Sequence, residues 1–168
     1  MSRASWRDPY RALVQQFNRR GVRYVVVGMA GINYYAATPA ETFATMDYDL
    51  LLEPSLDNVE QAVHTLKGLG FTLGTSAGVL RGADLRRIVR GRTTLIATTP
   101  EGLMVELLLE VSGYSFADLA RDAATVTVRG VPIKVGRLSK LLRSKKLAGR
   151  PKDRRFLQRY EALLKEEG

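Results

Sequence analysis

The chain of 168 residues contains no cysteine and only one histidine, His64. Without cysteine there is no disulfide framework, no thiolate zinc site and no cysteine nucleophile. A single histidine excludes a multi-histidine metal centre, and a Ser-His-Asp hydrolase would have to be built on His64. Long hydrophobic runs are also missing. The longest are strand-sized, such as Val25 to Val27, whereas a bilayer-spanning helix needs roughly 20 apolar residues. The segment from Met1 to Arg11 carries charges but no apolar stretch, so no signal peptide is expected and the predicted location is cytoplasmic.

What is present is ordinary in amount but uneven in position. Hydrophobic residues make up 45% and charged residues 26%, a globular balance rather than a disordered one. The length suits one domain. The formal net charge is +9. Between Gly136 and Tyr160 stand ten Lys and Arg against one acid, Asp153, so this segment alone carries +9 and the remaining chain is neutral. A basic run is often only a solvated helical face; the functional alternative is a surface for polyphosphate or RNA.

The pattern predicts a first helix over 9–20 with Asp8 as its cap, then a buried strand over 23–27 ended by Gly28. A short helix follows over 29–37, then a strand over 47–52 and a Ser55-capped amphipathic helix to Leu69. A short strand at 71–73, a loop, and a helical turn or irregular strand over 83–90 come next. Two hairpins are expected, 92–98 with 103–111 and 125–128 with 131–135, separated by a Ser115-capped helix. Two basic helices, 137–148 and 151–166, close the chain. The expected class is α+β (α/β), with a mixed sheet, a core over 1–136 and a basic helical segment over 137–168 packed on it.

The most informative stretch is Thr45-Met46-Asp47-Tyr48-Asp49-Leu50. Residues two apart on a strand share a face, so Asp47 and Asp49 would repel and raise each other's pKa. A divalent cation resolves this, and Mg²⁺ is commonly held by one or two carboxylates plus substrate phosphates. The plain reading is a pair of loop acids at a strand's wet end. A third acid, Glu106, sits among Leu103, Met104, Val105 and Leu107, a costly place unless paired or metal-bound. It converges with the others if its strand neighbours theirs; otherwise it lies on an edge strand facing water, with Glu110 beside it. Gly28, between a strand and a helix, would let backbone N–H groups approach a phosphate.

Strand, glycine turn, helix, Asp-x-Asp strand and later single acid resemble the nucleotidyltransferase superfamily. The chain is most similar to its minimal bacterial branch, the AbiE-type toxins and type IV toxin–antitoxin relatives. The matching pieces are Val25-Val26-Val27-Gly28, Thr45 to Leu50, Gly102 to Leu107, and Lys145-Lys146-Leu147-Ala148-Gly149-Arg150-Pro151-Lys152-Asp153. The resemblance implies a nucleotidyltransferase fold with Asp47, Asp49 and Glu106 as catalytic metal ligands. By resemblance Lys145 and Asp153 match helical residues near the nucleotide and Thr45 a small hydroxyl position; with Gly28 and the basic residues Lys140, Arg150 and Lys152 they make up the expected nucleotide site. The implied cofactor is Mg²⁺ (or Mn²⁺), with an NTP as substrate.

The implied activity is transfer of an NMP from an NTP to an acceptor hydroxyl. By resemblance the acceptor is tRNA, with a small acceptor such as an aminoglycoside or a protein hydroxyl as the alternative; the role is that of a toxin, and the partner it implies is an antitoxin protein. Three positions depart from the family pattern: Gly28 is followed by Met29 rather than Gly or Ser, Phe43 stands where an Arg is common, and the third acid is Glu106 rather than Asp. Met29 and Phe43 motivate the alternative of a nucleotide- or RNA-binding module that has lost catalysis. A plain basic nucleic-acid-binding protein would leave the three acids unexplained. The smaller cluster Arg86, Arg87, Arg90 and Arg92 is either ordinary surface or an additional RNA contact.

Overall fold

The computed structural model describes residues 10–36 and 47–167. Among them are seven α-helices and eight strands in one mixed sheet. The order along the chain begins α1 (Arg11–Arg19), β1 (Tyr24–Val27), α2 (Gly28–Asn33), β2 (Asp47–Leu52) and α3 (Leu56–Gly68). It continues with β3 (Thr72–Thr75), β4 (Gly78–Val79), α4 (Leu85–Gly91), β5 (Leu95–Thr98) and β6 (Met104–Leu108). It ends with α5 (Phe116–Arg121), β7 (Ala124–Val128), β8 (Val131–Val135), α6 (Leu138–Ala148) and α7 (Arg154–Glu167). Among the described residues no helix is long and apolar enough to cross a membrane.

The sheet order is β4-β3-β5-β6-β2-β1-β8-β7. β1 and β2 are antiparallel, while β2 with β6 and β1 with β8 run parallel. The central strands are the most hydrophobic stretches of the sequence. All four residues of β1 are buried, as are Tyr48, Leu50, Leu51 and Leu52 of β2. They are covered from both sides, as central strands of a mixed sheet must be.

Local chemistry explains several boundaries. Ser55 caps α3 by accepting from Asn58 N–H, and Ser115 and Asp118 form a reciprocal capping box on α5. Asn58, buried at 6% exposure, donates to the carbonyls of Arg23 and Glu53 and accepts from Arg23 N–H. One side chain thereby ties the start of β1, the end of β2 and the start of α3 together.

Some boundaries differ from the sequence pattern. α2 stops at Asn33 rather than running to residue 37. The 83–90 stretch is helical after a short 3-10 turn, and its loop predecessor contains the two-residue strand β4. Asp8, Pro9, Phe43 and Thr45 lie outside the described residues. Glu106 does not stand on an edge strand, because β6 lies between β5 and β2.

Candidate functional site

The carboxylates are positioned by strand register. In the parallel β2–β6 pair, Asp49 stands opposite Glu106 and Asp47 opposite Met104. Side chains alternate along a strand, so Asp47, Asp49 and Glu106 rise from one face, while Tyr48 points to the other. There Tyr10 stacks on Tyr48 with ring centroids 4.3 Å apart, and the Tyr34 and Tyr48 hydroxyls are 2.7 Å apart. This aromatic packing fixes the beginning of β2 from below.

Asp49 is the most perturbed acid of the site. Burial, then the charges of Glu106 and Asp47, push its carboxyl up to about 7, with Lys145 pulling the other way and a hydrogen bond to Glu106 adding to the rise. Its Oδ1 is buried without a hydrogen-bond partner. Buried polar atoms are nearly always satisfied, so this oxygen marks a place where a further group fits. Gly28 supplies the space. It has φ +64°, and a Cβ there would overlap Asp49 Oδ2 and lie 3.0 Å from Asp49 Cγ. The glycine anticipated as a phosphate approach is thus observed making room for a carboxylate.

These residues open into a groove of about 510 Å³. Its floor is Val27, Gly28, Asp49 and Glu106; Glu110 lies further along β6. One wall is the face of α6 formed by Leu141, Ser144, Lys145 and Ala148, followed by Arg150 and Asp153. The i, i+3, i+4, i+7 spacing puts the four helical residues on one stripe. The stripe is anchored where Leu141 meets Gly136, whose added Cβ would lie 2.7 Å from Leu141 Cδ2. Arg92 and Thr94, next to β5, contribute on the side beyond Glu106.

Lys145 joins the wall to the floor. Its Nζ bonds Asp153 Oδ1 at 3.3 Å, lies over the Phe156 ring, and lowers the pKa of Asp49 by its charge. Asp153 is only 5% exposed, so it fixes the ammonium at the groove rather than competing for solvent.

Two anticipated nucleotide residues are elsewhere. Lys140 does not line the groove: its Nζ donates to Asp118 O at 2.8 Å and Asp122 Oδ1 at 2.9 Å, pinning α6 to α5. Lys140 lies five residues before Lys145, about 140° around a helix with 3.6 residues per turn, which explains the different face. Lys152 is exposed and also outside the groove lining. Asp47 shares the carboxylate face but is not among the lining residues, and among the described residues no group of three His, Asp or Glu side chains is arranged to hold a metal.

The basic segment accordingly divides. Lys145 and Arg150 face the groove. Lys140 and Arg137 pair with Asp122, Lys146 pairs with Glu161, and Arg143, Arg154, Arg155 and Arg159 are exposed. Ser144, Thr94 and Ser112 line the groove without having been singled out by the sequence. The helical stripe through Leu141 and Lys145 was the available signal for Ser144; Thr94 and Ser112 carried none. His64 is exposed on α3. Comparison with known protein families finds no family model that matches the chain, and comparison with curated proteins finds no match.

Proposed function

We propose that the protein has a nucleotidyltransferase fold and is a Mg²⁺-dependent enzyme that moves an NMP from an NTP onto an acceptor hydroxyl. The observation that carries this reading is the Asp49–Glu106 register pair, with Asp49 Oδ1 unpartnered and Lys145 facing both acids' groove. A raised carboxyl with a spare buried oxygen suits a cation in place of a proton. Asp49 and Glu106, with Asp47 at the start of the same strand, are the residues that would hold Mg²⁺ or Mn²⁺. When bound, the ion supplies positive charge against the NTP phosphates.

The remaining work falls to the chain's own groups. Lys145 and Arg150 hold the triphosphate by charge-assisted hydrogen bonds. Glu106 accepts the proton of the attacking hydroxyl. The acceptor oxygen bonds to the α-phosphorus, the bond to the departing pyrophosphate breaks, and the acceptor carries the NMP. Such a reaction depends on positioning and charge more than on covalent chemistry.

The acceptor proposed is tRNA, in keeping with the resemblance and with the exposed cations of α6 and α7, which suit a polyanion. The toxin role and an antitoxin partner rest on the resemblance and predict growth arrest on induced expression. The test is incubation with each radiolabelled NTP, Mg²⁺ and total tRNA. Label on RNA, lost in Asp49→Ala, supports the reading; no transfer to any acceptor sinks it. The second reading, a binding module without catalysis, is favoured by one observation: Asp47 lies outside the groove lining. NTP binding without transfer would select it.

A further inference from the structure

The residue that ends α4 in a left-handed conformation is an arginine, and it lines the groove. Arg92 has φ 53° and ψ 36°. Thr93 N–H donates to Ile88 O at 3.0 Å and Arg92 N–H to Val89 O at 3.3 Å. This closing pattern puts the left-handed residue where glycine is strongly preferred, because a Cβ there is strained. α6 ends on Gly149 at φ 63° in the ordinary way. In α4 the glycine, Gly91, stands one residue too early and Arg92 takes the strained position. Among the described residues, the other non-glycine one with positive φ, Arg129, belongs to the two-residue turn between β7 and β8, which demands that conformation. Arg92 owes its conformation to the closing turn of α4, where an arginine occupies a position that favours glycine.

Its surroundings give it a use. Arg92 Nη1 donates to Pro54 O at 3.1 Å, which fixes the guanidinium at the rim. The strand order β5-β6-β2-β1 puts Arg92 and Thr94 beyond Glu106, while α6 brings Lys145 and Arg150 to the same groove. Positive charge therefore comes to the carboxylate floor from two separate elements. Arg86 and Arg90, exposed and four apart on one face of α4, carry it back along the helix from Arg92. From residue 86 to residue 90 is about 6 Å at 1.5 Å per helical residue, and Arg92 follows the helix end. Such a line suits a repeating phosphate backbone better than one triphosphate, for which Lys145 and Arg150 already serve.

We propose that Arg92 is a phosphate contact for the nucleic-acid acceptor, at the rim of the groove away from α6. This rests on the acceptor-transfer reading above for its place in a reaction, but binding itself needs no turnover. The test uses the full chain with Arg92→Gly and Arg92→Lys, a fluorescein-labelled 20-nucleotide RNA, and Mg-ATP. Arg92→Gly is expected to raise the RNA Kd about fivefold to tenfold and to flatten the salt dependence of log K by about one unit. It should leave the ATP Kd within twofold and should not lower Tm, since glycine suits the left-handed site. Arg92→Lys should keep most RNA affinity.

An unchanged RNA Kd with a lowered Tm would make Arg92 only a helix terminus. An equal loss of ATP affinity would make it a nucleotide contact. Absence of RNA binding by the wild type would also overturn the proposal. If wild-type protein binds the RNA through Arg92 but transfers no label, the transferase reading fails and this one stands.

Discussion

Gly28 is shaped by Asp49. The two meet across the antiparallel β1–β2 pair, where Val27 is the register partner of Asp49 and Gly28 follows with φ +64°. Gly28→Ala would place a Cβ on Asp49 Oδ2 in a conformation that already disfavours a side chain. The left-handed backbone costs about 1 kcal/mol for a non-glycine residue, and displacing the carboxylate adds to it. A total loss of about 2 kcal/mol is expected by urea denaturation. NMP transfer should fall more than tenfold. Full activity in a destabilised Gly28→Ala protein would show that the position of Asp49 is not critical.

The carboxyl of Asp49 gives a pH dependence with a defined sign. Its folded pKa, about 7, lies above the ordinary 3.8. The folded protein therefore holds a proton that the unfolded chain releases. The stability linked to this group is fully present below pH 4 and is lost as pH rises through about 7. In EDTA, the urea midpoint of the wild type should decline between about pH 4 and pH 7 relative to Asp49→Asn, which cannot lose that proton. Mg²⁺ at pH 8 should restore the wild type and leave Asp49→Asn unmoved. Parallel pH curves for the two proteins would remove Asp49 as the titrating group.

The Lys145–Asp153 pair links the groove to the C-terminal fold. Both side chains are largely buried, and Asp153 belongs to the 3-10 turn between α6 and α7. Lys145→Met strands a buried carboxylate, for which a loss of about 3 kcal/mol is expected. Adding Asp153→Leu removes the stranded charge and should recover most of the stability, but not nucleotide binding. Urea midpoints and ATP titrations on the single and double variants separate these effects. Recovery of ATP affinity in the double variant would show that the lysine contributes only to folding.

Sequence periodicity made much of this legible. Tyr24 to Val27 and Leu50 to Leu52 are dense in large apolar residues, Ser55 and Ser115 are unmistakable helix starts, and the alternation in Asp47-Tyr48-Asp49 sorts acid from aromatic. The neighbourhood of β2 and β6 was not legible, because those strands are separated by more than fifty residues and pairing at that distance leaves no local trace. The same holds for Arg92, whose cluster was visible but whose left-handed backbone was not. Asn58 was silent for a further reason: its three hydrogen bonds go to backbone atoms, which have no residue identity. The C-terminal charge misled by its uniformity, since ten cations in one segment distribute over different faces once the segment coils.

Lys140 tests that distribution directly. The charge count puts it with Lys145, yet its ammonium is held by Asp118 O and Asp122 Oδ1 and lies 5.8 Å from the centre of the Tyr114 ring. The hydrogen bond from Lys140 is the largest cause holding the Asp122 carboxyl below its usual range. The lysine therefore contributes to docking α6 on α5 rather than to the groove. Lys140→Ala is expected to lower Tm and to leave the ATP Kd within twofold of wild type. Lys145→Ala should weaken ATP binding more than tenfold, a loss of about 1.4 kcal/mol or more. Equal losses of ATP affinity in the two variants would mean that Lys140 swings into the groove when nucleotide binds.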